Sequence, residues 1–264
     1  MTQNWIDAHV HLSHFKDKAA LDKILTESRK LGAVYFFQAG VDPTDWLKQK
    51  EIHDQNPDDV GVSFGLHPWW IASHSDQECS DSLEILKKEI GTAQALGELG
   101  LDHGVKMNAE SFPRQLRFFR EQLTIAKNHQ KPLILHVVKA HDEALAELRL
   151  TPPVQGGLVH SFSGNLQIAN QYIELGLLIS VGPGLLKQGF ESLKKMIRKV
   201  ELTNLVLETD CPDQLPEPKS ILEVAKAVSD LRGDVGADDV LKITTENFRR
   251  QFKIKYGITN RANA

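Results

Sequence analysis

Eight times along this chain a short apolar run gives way to a segment whose apolar residues recur at helical spacing. The runs fall at 5–11, 33–39, 60–66, 95–98, 132–136, 157–160, 177–181 and 205–208. The first helical segment spans 18–31, with Ala20, Ile24 and Leu31 on one face and Gly32 as its stop. A second lies at 43–53, and Asp81 is placed to cap a third that carries Leu83, Leu86 and Ile90. Ser111 and Pro113 open a long helix with Leu116, Phe119, Leu123 and Ala126 on one side. Further helices are expected at 140–149, from about 165 to 175, at 188–199, at 218–232 and at 237–252. Eight strand–helix pairs in 264 residues have the size and order of an α/β protein built as a closed (β/α)8 TIM barrel, a single domain covering 1–264. An open doubly wound sheet is the competing arrangement.

The polar residues decide between the two. His9 and His11, His67, Glu98, His136, His160 and Asp210 all stand at or just past the C-terminal ends of expected strands. A barrel brings those ends together on one face, where active sites sit, whereas an open sheet spreads them across its width. His9 and His11 are two residues apart on a strand and so project the same way. Four histidines (His9, His11, His136, His160) with Glu98 and Asp210 make a mixed nitrogen and oxygen donor set, large enough for two divalent cations. A carboxylate is needed to bridge two ions and offset their charge, while neutral imidazoles fill outer positions. That chemistry suits hydrolysis, and phosphodiesters in particular.

Composition narrows the setting. The chain is 41% hydrophobic and 25% charged, ordinary for a globular protein with a sizeable core. No apolar run reaches a membrane span, and the N-terminus lacks a signal-peptide pattern, so no membrane association is expected. Two cysteines, Cys79 and Cys211, do not make a disulfide framework, which fits a reducing cytoplasm. A net charge of -4 argues against a surface that coats nucleic acid broadly, yet allows an enzyme that grips a few phosphates.

The motifs, taken in order, resemble those of the TatD-type metal-dependent hydrolases, many of them deoxyribonucleases. They are Asp7-Ala8-His9-Val10-His11, Gly65-Leu66-His67-Pro68, Gly97-Glu98-Leu99-Gly100-Leu101-Asp102, Pro132-Leu133-Ile134-Leu135-His136, His160-Ser161-Phe162-Ser163-Gly164 and Glu208-Thr209-Asp210-Cys211-Pro212. Thr245-Glu246-Asn247-Phe248 is similar to that family's closing signature. The resemblance implies a barrel holding one to three divalent ions, such as magnesium, manganese or zinc. His9, His11 and Asp210 would bind one metal and His136 and His160 another, with Glu98 bridging. His67 would sit near a substrate phosphate, and Asp210 would also orient or deprotonate the water. Glu98, Asp210 and His67 are thus the expected catalytic groups.

Two stretches depart from the family pattern, and both face substrate. Val137-Val138-Lys139 follows His136 where family members carry a small residue and an arginine, and 213–218 lacks the family's arginine-containing loop. A lysine there cannot form the bidentate fork of an arginine. The leading expectation is a monomeric phosphodiesterase that trims single-stranded DNA from an end. An amidohydrolase-type C–N or ester hydrolase is the alternative, although many binuclear members of that group resemble one another in a bridging lysine where this chain has Glu98. A partner-dependent subunit of a nucleic-acid-processing system, with a protein partner, is the third. Three features stay open: Trp69-Trp70 either stacks on a base or packs, the basic run Lys187, Lys194, Lys195, Arg198, Lys199 either guides a polyanion or is a solvated face, and Asp102 either braces a loop or positions water. Glu208 is expected to support rather than ligate, Cys211 to pack, and His14, His53, His74, His103, His129 and His141 to be solvated.

Overall fold

The computed structural model describes residues 3–104 and 109–254. In chain order the regular elements begin with β1 (Trp5–Val10), α1 (Lys18–Lys30), β2 (Ala33–Gln38), α2 (Pro43–Gln55), β3 (Val60–Gly61), β4 (Ser63–Phe64), α3 (Pro68–Ser73) and α4 (Asp76–Glu89). They continue with β5 (Ala95–Asp102), α5 (Phe112–Asn128), β6 (Leu133–Val138), α6 (His141–Leu150), β7 (Gly157–His160) and α7 (Leu166–Glu174). The last are β8 (Leu177–Val181), α8 (Glu191–Ile197), β9 (Leu205–Leu207), α9 (Ile221–Arg232) and α10 (Ala237–Phe252).

Local chemistry explains most of these boundaries. Asp17 caps α1 by accepting the Ala19 N–H (2.9 Å), and Asp42 caps α2 by accepting those of Thr44 and Asp45. The helix expected to start at Asp81 starts instead at Asp76. Ser75 and Glu78 form a reciprocal capping box that satisfies two free N–H groups at once, and Asp81 lies inside the helix, accepting from Gln77 (2.9 Å). The expected helix at 188–199 shortens to α8.

All strand pairings are parallel, in the orders β1-β2-β3 and β4-β5-β6-β7-β8-β9. The two seams join these sheets into one barrel. At the first, β3 and β4 are one strand interrupted at Val62, and the Ser63 hydroxyl lies within 2.9 Å of the Gln38 carbonyl and 2.8 Å of that of Gly97. At the second, Asp210 donates its N–H to the His9 carbonyl (3.0 Å) and His11 donates to the Cys211 carbonyl (2.8 Å). With β3 and β4 counted once, eight strand positions close the (β/α)8 barrel.

Side chains fill the barrel in two layers. Ile6, Ala8, Tyr35, Phe37, Ile134 and Leu158 belong to an inner cluster, which Phe248 and Phe252 of α10 complete. Asn247 pins that helix by donating to the carbonyls of Leu202 (2.7 Å) and Leu205 (2.8 Å) at the start of β9. Trp5, Val10, Phe36, Leu96 and Leu99 belong instead to the outer cluster between strands and helices. Both faces of each strand are therefore buried, which is why the strands read as near-continuous apolar runs.

The register slips three times, once at the very start of β1 between Trp5 and Ile6; the other two slips each place a functional residue. Pairing of β1 with β2 shifts between Asp7 and Val10, so that Ala8 and Val10 belong to opposite layers although two residues apart. Pairing of β5 with β6 shifts between Leu96 and Leu99, with Glu98 in between. Gly97 and Gly100 make the last possible: their φ values are +153° and +156°, and a Cβ on Gly100 would lie 1.8 Å from the His136 carbonyl oxygen.

Candidate metal centre

The C-terminal mouth of the barrel gathers every donor expected from the sequence into one buried cluster. His9 and His11 arrive from β1, His67 caps α3, Glu98 comes from β5, His136 from β6, His160 from the end of β7, and Asp210 follows β9. None is more than 8% exposed, so whatever balances their charge must lie within the cluster.

Three overlapping sets of donors lie close together: His9–His11–Asp210, His9–Glu98–His160 and His67–Glu98–His136. Glu98 belongs to two of them. Its Oε2 faces His9 Nε2 (3.4 Å) and His11 Nε2 (3.6 Å), while its Oε1 faces His136 Nδ1 (2.7 Å) and His67 Nε2 (3.2 Å). His160 Nε2 stands between the groups, 3.8 Å from Glu98 Oε1 and 3.7 Å from Asp210 Oδ2, and its ring stacks on His9 at 3.6 Å. Asp210 Oδ1 lies 3.2 Å from His11 Nε2.

These residues fit divalent cations. The Nε2 atoms of His9 and His11 face each other at 3.2 Å, while the Nδ1 atoms of both rings and Asp210 Oδ1 are buried without hydrogen-bond partners. Two facing ring nitrogens beside an unpartnered carboxylate oxygen are poorly served by one another's protons and well served by a cation.

His67 is set apart by its tautomer. Its Nδ1 accepts the Trp69 N–H (3.0 Å), so in the neutral ring the proton sits on Nε2. Burial holds His67 down at about 4 despite the nearby Glu98, so it is neutral near pH 7 and presents an N–H, not a lone pair, to the cluster. The other rings divide. Burial, with His160 alongside, lowers His9. Burial also opposes protonation of His11 and His160, but Asp210 and Glu98 raise His11 to about 9, and Glu208, Asp210 and Glu98 raise His160 to about 10. Burial works against ionisation of Glu98 and Asp210 as well, and the surrounding imidazoles outweigh it, keeping both carboxylates well below their usual range.

A ring of supporting groups orients the donors. Glu208 Oε1 sits 2.9 Å from His160 Nδ1 and accepts the Ser161 N–H (2.7 Å), while its other oxygen takes the Ser180 hydroxyl. Asp102 Oδ2 approaches His136 Nε2 (3.2 Å) and accepts the Trp69 indole N–H (2.5 Å), and burial of this carboxyl is outweighed by His136, which helps hold it at about 2. Beneath the cluster, burial pushes the Asp7 carboxyl well up even though Thr209 donates to it through backbone (3.0 Å) and hydroxyl. Cys211 is buried in the outer cluster, as expected of a packing residue.

Other placements differ from the sequence reading. His14, expected to be solvated, stacks on His11 (4.8 Å, 9° between planes), and its Nδ1 contacts Asp213 (3.0 Å) at the edge of the cleft. His141 is half-buried against the Tyr172 hydroxyl (3.0 Å). The spacing His11-x-x-His14 beside Asp210-x-x-Asp213 was the available sign for the first pair, since each partner lies one short turn beyond a donor. Gln214, likewise unmarked in the sequence, donates to Asp210 Oδ2 (2.7 Å) and to the Ser161 hydroxyl (3.2 Å). Trp69 and Trp70 part company: Trp69 is 47% exposed on the wall of the cleft, whereas Trp70 stacks on His74 (4.1 Å) and packs partly into the core. The basic run parts as well, with Lys187 on the cleft wall and Lys194 paired to Glu191 (2.9 Å). The cleft over the cluster encloses about 830 Å³.

A barrel with buried imidazoles and carboxylates gathered at its C-terminal mouth fits a metal-dependent hydrolase. The family model described as TatD related DNase matches residues 6–253, and the chain belongs to that family. It is 30% identical over 262 residues to the metal-dependent hydrolase YjjV of Escherichia coli K12, covering 96% of this chain and all of that one. The crystal structure of YjjV superposes with a TM-score of 0.85 over 97% of this chain and 100% of the other. An uncharacterized metal-dependent hydrolase of Haemophilus influenzae is 28% identical over 92% of this chain and 97% of its own length. The human 3'-5' RNA nuclease TATDN2 is 29% identical over 85% of this chain, which matches 31% of that longer protein. Some members of this enzyme family are thus nucleases. No helix among the described residues is long and apolar enough to cross a membrane.

Proposed function

We propose that this protein is a phosphodiesterase that removes nucleotides from an end of single-stranded DNA, with two divalent cations held at the barrel mouth. The observation that carries the reading is Glu98, whose two oxygens face different sets of donors, as a carboxylate shared by two ions must. His9, His11 and Asp210 would hold one ion, and His160 and His136 would bound the space for the second. Bound there, the cations supply a water of lowered pKa and offset the charge of the phosphate oxygens.

The chain's own groups do the rest. Asp210, ionised and with Oδ1 unpartnered, orients the attacking water by accepting its hydrogen. His67 donates Nε2–H toward a phosphate oxygen on which charge grows, and the Trp69 N–H keeps it in the donating tautomer. Lys187 stands where the missing family arginines leave a need for positive charge. It is the one lysine or arginine on the cleft wall among the described residues, and it donates to the side-chain Oε1 of Gln214 (3.0 Å), whose Nε2 holds Asp210. It serves as a point charge for phosphate. Trp69 offers an exposed ring for a base. All these groups come from one chain, so a monomer suffices.

The test uses protein stripped of metal, then given magnesium, manganese or zinc separately, with single-stranded DNA labelled at either end. Metal-dependent laddering that Asp210→Asn abolishes is the expected result, and the ladder's direction reports the end attacked. Intact DNA together with turnover of an acyl amide overturns the reading.

A further inference from the structure

The three remaining members of the basic run, Lys195, Arg198 and Lys199, do not form a featureless solvated face. They line a second groove of about 430 Å³, between α8 and the start of α7, with Asn165, Leu166 and Met196 among its other walls. All three cations are exposed. Among the described residues none of them forms an ion pair: Glu191, the nearest acid on the same helix, is taken by Lys194 (2.9 Å), although Lys195 and Arg198 still feel its charge. Three cations without an ion pair concentrate positive charge in one groove of a chain whose net charge is -4.

Two separate stretches of chain tie this groove to the metal cleft. Ser163 lines the cleft and Asn165 the groove; Phe190 lines the cleft and Ser192 the groove. Each pair is two residues apart, so on both walls the Cα atoms are separated by at most about 7.6 Å. The cations follow one another around the end of α8: Lys195 lies within the helix, Arg198 is its C-cap and Lys199 comes directly after. Phe190, 40% exposed, stands at the divide with its ring available for stacking.

We infer that this groove is a binding site for the backbone of the substrate strand: a single-stranded nucleic acid whose end lies in the metal cleft continues over Phe190 and down between α7 and α8, its phosphates meeting Lys195, Arg198 and Lys199. The inference rests on the phosphodiesterase reading for what occupies the cleft, and it adds a reason for the enzyme to prefer longer strands. Because the contacts are to phosphate, they add affinity without base preference and make binding depend on salt.

The experiment compares wild-type, metal-loaded enzyme with the triple variant Lys195→Gln, Arg198→Gln, Lys199→Gln, whose altered side chains are all on the surface. Substrates are a single strand of about 12 nucleotides, within the site sizes such grooves take, and bis(p-nitrophenyl) phosphate, too small to leave the cleft. The variant is expected to raise KM for the long strand about tenfold or more and to flatten the dependence of log KM on log salt by about 2, at about 0.7 per lost phosphate contact. Kinetics on the small diester should coincide with wild type. An unchanged KM and salt slope on the long strand, or an equal loss on the small diester, overturns the inference. Should wild type cleave neither substrate, fluorescence anisotropy of the labelled strand still decides: tight, salt-sensitive binding lost in the variant sustains the groove while the nuclease reading falls, and absence of binding by wild type removes both.

Discussion

At the N-terminal end of the barrel the interior is closed by aromatic rings. Phe248 and Phe252 lie 5.2 and 5.0 Å from Phe37 and stack on one another at 4.4 Å. At the C-terminal end the same strands finish in buried imidazoles and carboxylates, with unpartnered atoms on His9, His11 and Asp210. One end is satisfied by packing alone. The other is satisfied only with protons or cations added, which suits it to binding them, at a cost in stability whenever they are absent. Perturbations at the two ends should therefore separate cleanly, one set changing stability and the other changing metal binding and turnover.

The sharpest separation pairs Asp210→Asn with Phe248→Ala. The first is expected to reduce turnover of a phosphodiester by about a thousandfold or more, roughly 4 kcal/mol of barrier, with the urea midpoint nearly unmoved. The second is expected to cost about 3–5 kcal/mol of stability, read by urea unfolding, while turnover per folded molecule stays near wild type. A large stability loss in Asp210→Asn, or a turnover defect in folded Phe248→Ala, would break the division between the ends.

A smaller effect is expected at Glu208. Glu208→Gln keeps the volume and removes the charge beside His160 Nδ1, and metal affinity should fall about 10- to 100-fold. Competition with a chromogenic chelator measures it. Lys187→Met should act more weakly still, raising KM for an oligonucleotide about tenfold, or about 1.4 kcal/mol, with kcat little changed, because a point charge that positions substrate acts mainly on binding.

The last prediction concerns pH. His160, raised to about 10 from an ordinary 6.5, stabilises the metal-free fold fully below 6.5 and loses that contribution as pH climbs through 10. His11, raised to about 9, acts in the same direction. Metal-free protein should thus melt at lower temperature at pH 9.5 than at pH 6.5 as far as these groups decide, with the metal-loaded form reversing the trend. Binding must expel those protons, and calorimetry in buffers of different ionisation enthalpy at pH 7 should count about two released. Release of none would mean that the imidazoles are already neutral and the contrast between the ends is smaller than drawn.

The sequence by itself determined the alternation of strands and helices, the donors at strand ends and the glycines around Glu98, because each depends on near neighbours: periodicity, caps and conformations open only to glycine. It also placed His9 and His11 on a common face. What alternation could not supply was which face. Counted strictly from Trp5, which packs outside the barrel, His9 and His11 would also point outward. The slip between Asp7 and Val10 turns them in, and that slip is set by pairing with β2 and by the Thr209 and Asp210 bonds from the segment just past β9, some 200 residues away. The tautomer of His67 was equally hidden, since it depends on an N–H freed by the start of α3. So was the division of the basic run into a cleft lysine, a paired lysine and a separate groove, because a lysine's partner is chosen by what the fold sets beside it. Types and periods are local properties of a chain; faces, registers and partners are decided where distant segments meet.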